Sequence, residues 1–388
     1  MKVFNQFIVL SQVAVESFPS RLGVSLVTIV GVAGVTAVLV SMLSLATGLM
    51  KTLSSSGHPD RAIVLSEGSK SEAVSGLSRE DVNLILSTPG LRKNADHNAI
   101  GSADMVTSIF LSKRDDGRDA YVPLRGVGGT FFELHPEITI KAGRRFNPGL
   151  NEVIVGRLAH SQYRGVEVGD HIKIRGGDWL VTGLFESGGS SRESEVIGDA
   201  EALLSTYKSR FFQSVTALLD SPAGFEAFKS SVEATPALSA TVMRESDYYA
   251  RRSANASSTI FFAVYVIGLV MSIGAIFGAL NTMYSVVGSR AVEIATLRAI
   301  GFNYHAILCS ILVEALGLAL IGALFGIGFS WLLFDGIVAA TPEVVVPVQV
   351  TPGNMLSAAA LAGAIGLLGG LIPALHSLRK PIAAELRA

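Results

Sequence analysis

The residues of this chain best spaced for a chemical task lie in "RAVEIATLRAIGF", residues 290–302. Arg290 precedes Glu293 by three positions and Glu293 precedes Leu297 by four, so the three share one face of a helix. Ile294, Leu297 and Ile300 add apolar side chains, Arg298 a second cation, and Gly301 a natural C-terminal stop. The task these residues fit is recognition. A short helix showing Leu and Ile beside Glu and Arg can dock into a groove on a partner protein, or it can be a solvated or membrane-surface loop.

Residue patterns for catalysis are missing elsewhere. A nucleotide hydrolase of the phosphate-loop type needs G-x-x-x-x-G-K-S/T, and Gly68-Ser69-Lys70-Ser71 has neither that glycine spacing nor a glycine directly before its lysine. The seven histidines never pair at three or four residues, and no H-E-x-x-H, C-x-x-C or G-x-S-x-G string occurs. The reading is therefore no catalytic residue, no metal site and no cofactor on this chain. A net charge of −1 gives no support for a nucleic-acid partner.

The elements that must position residues 290–302 are apolar. Residues 22–50, 260–283, 307–334 and 355–372 contain a single charged residue, Glu314, and each is long enough to cross a hydrocarbon core, which needs about 20 helical residues. With 49% hydrophobic and 16% charged residues, the chain reads as part membrane and part water-soluble. Residues 22–50 are read as a retained anchor, being about twice the 7–15 residues of a signal-peptide core. Glu314 is an acid at a depth where charge is expensive and often functional. With no second acid or histidine in the other spans it makes a poor proton relay, so it reads as a structural hydrogen-bonding or interface group. Gly274 and Gly278, Gly322 and Gly326, and Gly366 and Gly370 each form G-x-x-x-G, which bares backbone for tight helix packing or dimerisation.

Basic residues near the spans set the orientation. Lys2 and Arg21 precede the first span, Arg290 and Arg298 lie between the second and third, and Arg379, Lys380 and Arg387 follow the fourth. The opposite loop, 335–353, has Asp335 and Glu343 but neither Lys nor Arg. Both termini are thus placed in the cytoplasm of a bacterial inner membrane. The fold class is an α-helical membrane protein with four transmembrane helices and an α/β extracytoplasmic domain inserted between helices 1 and 2. The expected divisions are an interfacial helix (1–21), span one (22–50), the external domain (51–257), span two (258–283) and a cytoplasmic coupling segment (284–304). Span three (305–334), a short external loop (335–353), span four (354–375) and a cytoplasmic tail (376–388) follow.

Within 51–257, "LSREDVNLILSTPG" carries a capping pattern, Ser78 with Asp81, and predicts a helix. "NEVIVGRLA", "DHIKIRG" and "DWLVTGLFE" predict strands, and "SVTALLD", "PAGFEAFKSSVEA" and "ALSATVMRE" predict strand, helix, strand. The Ser/Gly-rich "ESGGSSRES", 186–194, reads either as the divide between two subdomains or as an exposed loop within one. The only cysteine, Cys309, lies in a span, so the external domain is held by packing without disulfides. From Ser246 to Ser258 no breaker interrupts the run into span two.

The chain resembles the MacB/FtsX-type (type VII) ABC transporter permeases. "RAVEIATLRAIGFNYHAILCSILVEALGLALIGALFG", 290–326, is similar to that family's R-x-x-E-I-x-x-L-R-A-x-G stretch and the glycine-rich helix after it. "LIPALHSLRKPIAAELRA", 371–388, resembles its closing signature, with Glu385 interrupting. "VPLRGVGGTFFEL", "KAGRRF", "NEVIVGRLA" and "VEVGDHIKIRGGDWLVTGLFE" resemble the MacB external domain, and "SFPSRLGVSLVTIVGVAGV" the entry into the first span. The resemblance implies a dimer of permease copies, homodimeric or heterodimeric, worked by a separate cytosolic ATPase that carries the ATP and Mg. Arg290, Glu293, Ile294, Leu297, Arg298 and Gly301 would form the coupling helix against that ATPase. It further implies mechanotransmission to the external domain and export with a periplasmic adaptor protein. Lipoprotein release and regulation of a cell-wall hydrolase are the alternatives within the family, and a membrane sensor without transport is the alternative outside it.

Overall fold

The computed structural model describes residues 22–340 and 345–379. The expected interfacial helix (1–21), residues 341–344 of the external loop and the tail beyond Arg379 lie outside them. The chain forms two compact units: a head, residues 48–257 with 338–347, and a membrane unit made from the described residues before 48 together with 258–337 and 348–379.

The membrane unit contains four helices long and apolar enough to cross a bilayer. They are α1 (Leu22–Ser54), α7 (Glu245–Ser289), α9 (Tyr304–Phe334) and α10 (Pro352–Arg379), with the short α8 (Ala291–Ala299) between α7 and α9. Glycine decides how closely three of them approach. A Cβ on Gly322 would stand 2.8 Å from the Ile29 carbonyl oxygen of α1, and one on Gly326 would collide with Thr36 and the Ala33 carbonyl. A Cβ on Gly366 or Gly370 of α10 would meet Ala319 or Ala315 of α9 at 2.7 and 2.6 Å. A Cβ on Gly274 or Gly278 of α7 would meet no atom of another element within 4 Å among the described residues. Polar ties reinforce the contacts: Ser330 donates to the Ala37 carbonyl at 2.7 Å, and Asn354 Nδ2 donates to Ser44 and Thr47 at 3.2 Å each. Because a buried small-residue contact has no room for a side chain, Gly326→Leu is expected to abolish recovery of folded, monodisperse chain in detergent. Gly278→Leu, facing open space, should fold with the wild-type yield. Equal yields of the two variants would contradict this packing.

The head is built on one ten-stranded sheet in the order β10-β1-β9-β2-β3-β8-β5-β7-β4, with β6 beside β7. The strands are β1 (Arg61–Ser66), β2 (Gly101–Ser112), β3 (Asp119–Val127), β4 (Thr139–Gly143) and β5 (Glu152–Gly156), then β6 (His171–Ile174), β7 (Gly177–Glu186), β8 (Val196–Asp199), β9 (Ser214–Leu218) and β10 (Ala240–Arg244). Strand β2 joins two halves: Gly101–Asp104 pairs with β9, and Met105–Ser112 pairs with β3. The β6–β7 hairpin turns on Arg175 and Gly176, both at positive φ (50° and 84°), as a two-residue hairpin with the strands' own twist requires. Helix α2 (Arg79–Ser87) starts on the capping box of Ser78 and Asp81, and α6 (Phe225–Glu233) packs on β10. The shorter helices are α3 (Phe131–Leu134), α4 (Arg157–Gln162) and α5 (Ala200–Tyr207).

Alternation along the strands sorts the core into two faces. Val153, Val155, Trp179, Val181 and Val196 pack on one side, and Ile154, Phe185 and Ile197 meet Phe131 and Phe146 on the other. Strands β5 and β8 are thus covered on both faces, which explains their uninterrupted burial. Residues 338–340 and 345–347 add a small ladder of β11 (Val338–Ala340) and β12 (Val345–Pro347), and β12 lies against the turn at Ser191–Ser194.

The Ser/Gly-rich stretch is not an exposed connection. Ser187 and Ser190 through Glu195 are buried, and a 3-10 turn covers Ser191–Ser194. Glu193 folds back to accept from the backbone N–H groups of Ser187 and Gly189, both at 2.8 Å, which closes the turn on itself. The Ser191 N–H donates to Ser56 Oγ at 2.9 Å, tying the turn to the chain just past α1.

Candidate functional site

Helix α8 begins at Arg290, whose side chain is the hub of the segment. Its Nε and Nη2 donate to the two carboxylate oxygens of Glu293, both at 2.9 Å, and its Nη1 donates to Glu314 Oε2 at 3.3 Å. The Glu293 hydrogen bond raises the Arg290 pKa further, so its charge is permanent. Glu314 of α9 therefore has a cationic partner 24 positions away, outside the apolar run that contains it.

The helix stops as its sequence dictates. Gly301 sits at φ +94°, the Phe302 N–H donates to the Leu297 carbonyl at 3.0 Å, and the Gly301 N–H to that of Arg298 at 3.2 Å. This paired arrangement satisfies two terminal carbonyls and needs a residue that tolerates positive φ. Asn303 then caps α9 by accepting from the His305 N–H at 3.0 Å.

The apolar residues of α8 divide between two faces. Ile294 is 4% exposed and packs with Met283, Val287, Ile307 and Ile311, and half-buried Leu297 lies against the same cluster. These two anchor α8 within the membrane unit, so Ile294 is a core residue and not part of the exposed surface. The outward face carries Val292 (52% exposed), Glu293, Thr296 and Ile300 (67% exposed), with Arg298 half-buried. Val292 escapes a reading centred on Glu293 and Leu297. The signal for it is spacing: 292, 296 and 300 recur every four residues on the face opposite Ile294.

At its other end, α7 begins inside a buried network of charges in the head. Arg125 is 3% exposed and donates to Glu195 at 2.7 Å, Glu72 at 2.9 Å and Asp104 at 3.0 Å. Glu245, the first residue of α7, meets Arg192 at 3.4 Å and Arg61 at 3.5 Å, while Arg61 holds Glu137 through two hydrogen bonds of 2.9 and 3.0 Å. Burial raises the Glu245 pKa, with Arg192 and Arg61 opposing it. Burial alone would raise Glu72 as well, but Arg125 outweighs it and lowers Glu72 to about 2. For Asp104 burial wins over Arg125 and the pKa rises to about 6. Among the described residues no group of three or more His, Cys, Asp or Glu could hold a metal ion.

Two family models match this chain. Residues 25–235 match the MacB-like periplasmic core domain, and residues 265–382 match the FtsX-like permease C-terminal domain. The chain belongs to the MacB/FtsX-type permease family. As a member it is a multi-pass membrane protein of the ABC transporter permease type. It is similar to the macrolide export ATP-binding/permease protein MacB of Nitrobacter winogradskyi, with 29% identity over 322 residues, 79% of this chain and 44% of that one. The protein of the same description from Neisseria gonorrhoeae is 23% identical over 402 residues, 96% of this chain and 59% of that one. The chain thus spans about half the length of these curated relatives. Among solved structures, the extracellular domain of the noncanonic ABC-type transporter YknZ from Gram-positive bacteria aligns with TM-score 0.37 and 15% identity, over 47% of this chain and 99% of that one. The periplasmic region of MacB from Actinobacillus actinomycetemcomitans aligns with TM-score 0.38 and 12% identity, over 53% and 98%.

Proposed function

We propose that this chain is the permease subunit of an ABC transporter whose ATP and Mg are held by a separate cytosolic ATPase, and that it passes the motion of that ATPase to its head. The observation that carries this reading is the two-faced α8. Ile294 and Leu297 fix the helix to α7 and α9, while Val292, Glu293, Thr296 and Ile300 are left outward beside a cation clamped to two acids. A displacement applied to the outward face is then carried into α7 and α9, because close-packed interiors transmit strain. Helix α7 supports the second step: it runs unbroken from Glu245 to Ser289, and its first residue sits in the charge network of the head.

In this reading α8 and both termini face the cytoplasm of a bacterial inner membrane, and a second permease copy completes the transporter. The MacB-like head favours export with a periplasmic adaptor protein. Purification of the full chain co-expressed with its cognate ATPase is expected to recover the ATPase in stoichiometric amount. Recovery of the chain alone would contradict the proposal.

A further inference from the structure

The head contains a cleft of about 900 Å³ that the coupling role leaves unused. Every residue lining it belongs to the head, and its volume lies within the 300–1,000 Å³ typical of small-molecule sites. From these features we infer that the cleft binds a phosphate-bearing small molecule with an apolar portion, one per chain. The inference is independent of the ATPase reading.

The charge balance of the lining selects the anion. Four cations face the cleft: Lys70 from the loop after β1, Arg125 from β3, and Arg251 and Arg252 from the first turns of α7. Arg125 is already held by three acids, Glu72 and Glu195 of the lining and Asp104. The cations turned to the solvent side of the cleft are at its rim, where Lys70 and Arg251 are exposed. The Arg251 guanidinium rests on Met243 Sδ at 3.6 Å, on the β10 wall. Cations mounted on two separate elements surround a many-oxygen anion better than a planar carboxylate, and guanidinium groups match phosphate oxygens in pairs.

The remaining lining selects the apolar portion. Val106, Pro123 and Met243 provide a half-buried apolar wall, and Tyr248 is buried behind it with its hydroxyl accepting from the Glu72 N–H at 3.2 Å. Arg251 and Arg252 lie about 10 Å of helix rise before Ser258, where α7 enters the membrane unit. A phospholipid and a soluble organic phosphate offer the same chemistry here, and one titration separates them.

The probes are dihexanoyl-phosphatidylglycerol below its micelle concentration, the matching phosphatidylcholine and glycerol phosphate, titrated by calorimetry into the full chain in uncharged detergent. Phosphatidylglycerol is expected to bind once per chain, with the choline lipid at least tenfold weaker because its cation offsets the phosphate. Weaker glycerol phosphate binding assigns the site to a lipid, and equal binding assigns it to a soluble phosphate; either supports the site. The exposed-residue double variant Lys70→Gln/Arg251→Gln should weaken binding at least tenfold with an unchanged unfolding temperature. Ser108→Trp, at an exposed lining position of β2, should block the cleft without altering the charges. Absence of binding by both anionic probes, or binding that the double variant and Ser108→Trp leave unchanged, would overturn the inference.

Discussion

Val292→Asp/Ile300→Asp is expected to abolish capture of the ATPase while the chain still inserts and folds. Both residues are exposed, Val292 on the face of α8 away from the buried Ile294 and Ile300 just past the helix end. Placing a carboxylate at each removes apolar contact area and sets a desolvation penalty against any apolar groove, and interface energy concentrates in a few such residues. The loss should exceed a hundredfold, about 3 kcal/mol, on the usual scale for truncating central contacts. Leu297→Asp is the poorer probe, because Leu297 packs against the buried cluster and its replacement damages the fold as well as the surface. Co-purification from membranes, with detergent monodispersity as the folding control, measures the effect. Undiminished ATPase recovery by the double variant would remove α8 from the contact.

Arg125→Met should produce the largest loss of stability in the head, about 3–5 kcal/mol, by leaving Glu72, Asp104 and Glu195 buried without their shared cation. The deficit should depend on pH. With Arg125 gone, Glu72 and Asp104 lose the cation that opposes their protonation, so the variant recovers part of the difference at pH 5 and shows its full deficit at pH 8. The wild-type network contains two opposed responses. Asp104, at about 6 against an ordinary 3.8, favours the folded head most at low pH, and that contribution is lost as the pH rises through 6. Glu72, at about 2 against 4.5, stabilises above pH 4.5 and is lost on acidification through 2. Thermal unfolding of the full chain followed at pH 5 and 8 tests both statements. A deficit under 1 kcal/mol, or one larger at pH 5, would show that Arg125 does not hold the network.

Much of the architecture is legible in the sequence because its signals are local. The four spans are long runs almost without charge, α2 has its cap within four residues, and β5, β6, β7, β9 and β10 are short segments that alternate or stay apolar. Strands β1, β2, β3 and β8 are harder to read, and β2 owes its length to two different neighbours, β9 and β3, which no window along the chain can reveal. The stretch 186–194 has the composition of a loop, yet its burial follows from partners far away in sequence, Ser56 and Glu245. Glu314 looks solitary for the same reason, since Arg290 lies in the preceding loop. At the candidate site, the spacing of Glu293 and Leu297 reveals a helix face but not which side the membrane unit covers. Ile294 and Leu297 turn inward because α7 and α9 present Val287 and Ile307 to them.

Transmission of force from an ATPase to the head requires α8 and the head to face opposite sides of the bilayer. In a Cys309→Ser background, single cysteines at two exposed positions, Thr296→Cys on α8 and Val168→Cys in the head, can be treated with a membrane-impermeant maleimide on the outer face of the inner membrane. Labelling of Val168→Cys in intact spheroplasts, with Thr296→Cys labelled only after permeabilisation, is the predicted result, and labelling of both from the same side would contradict it.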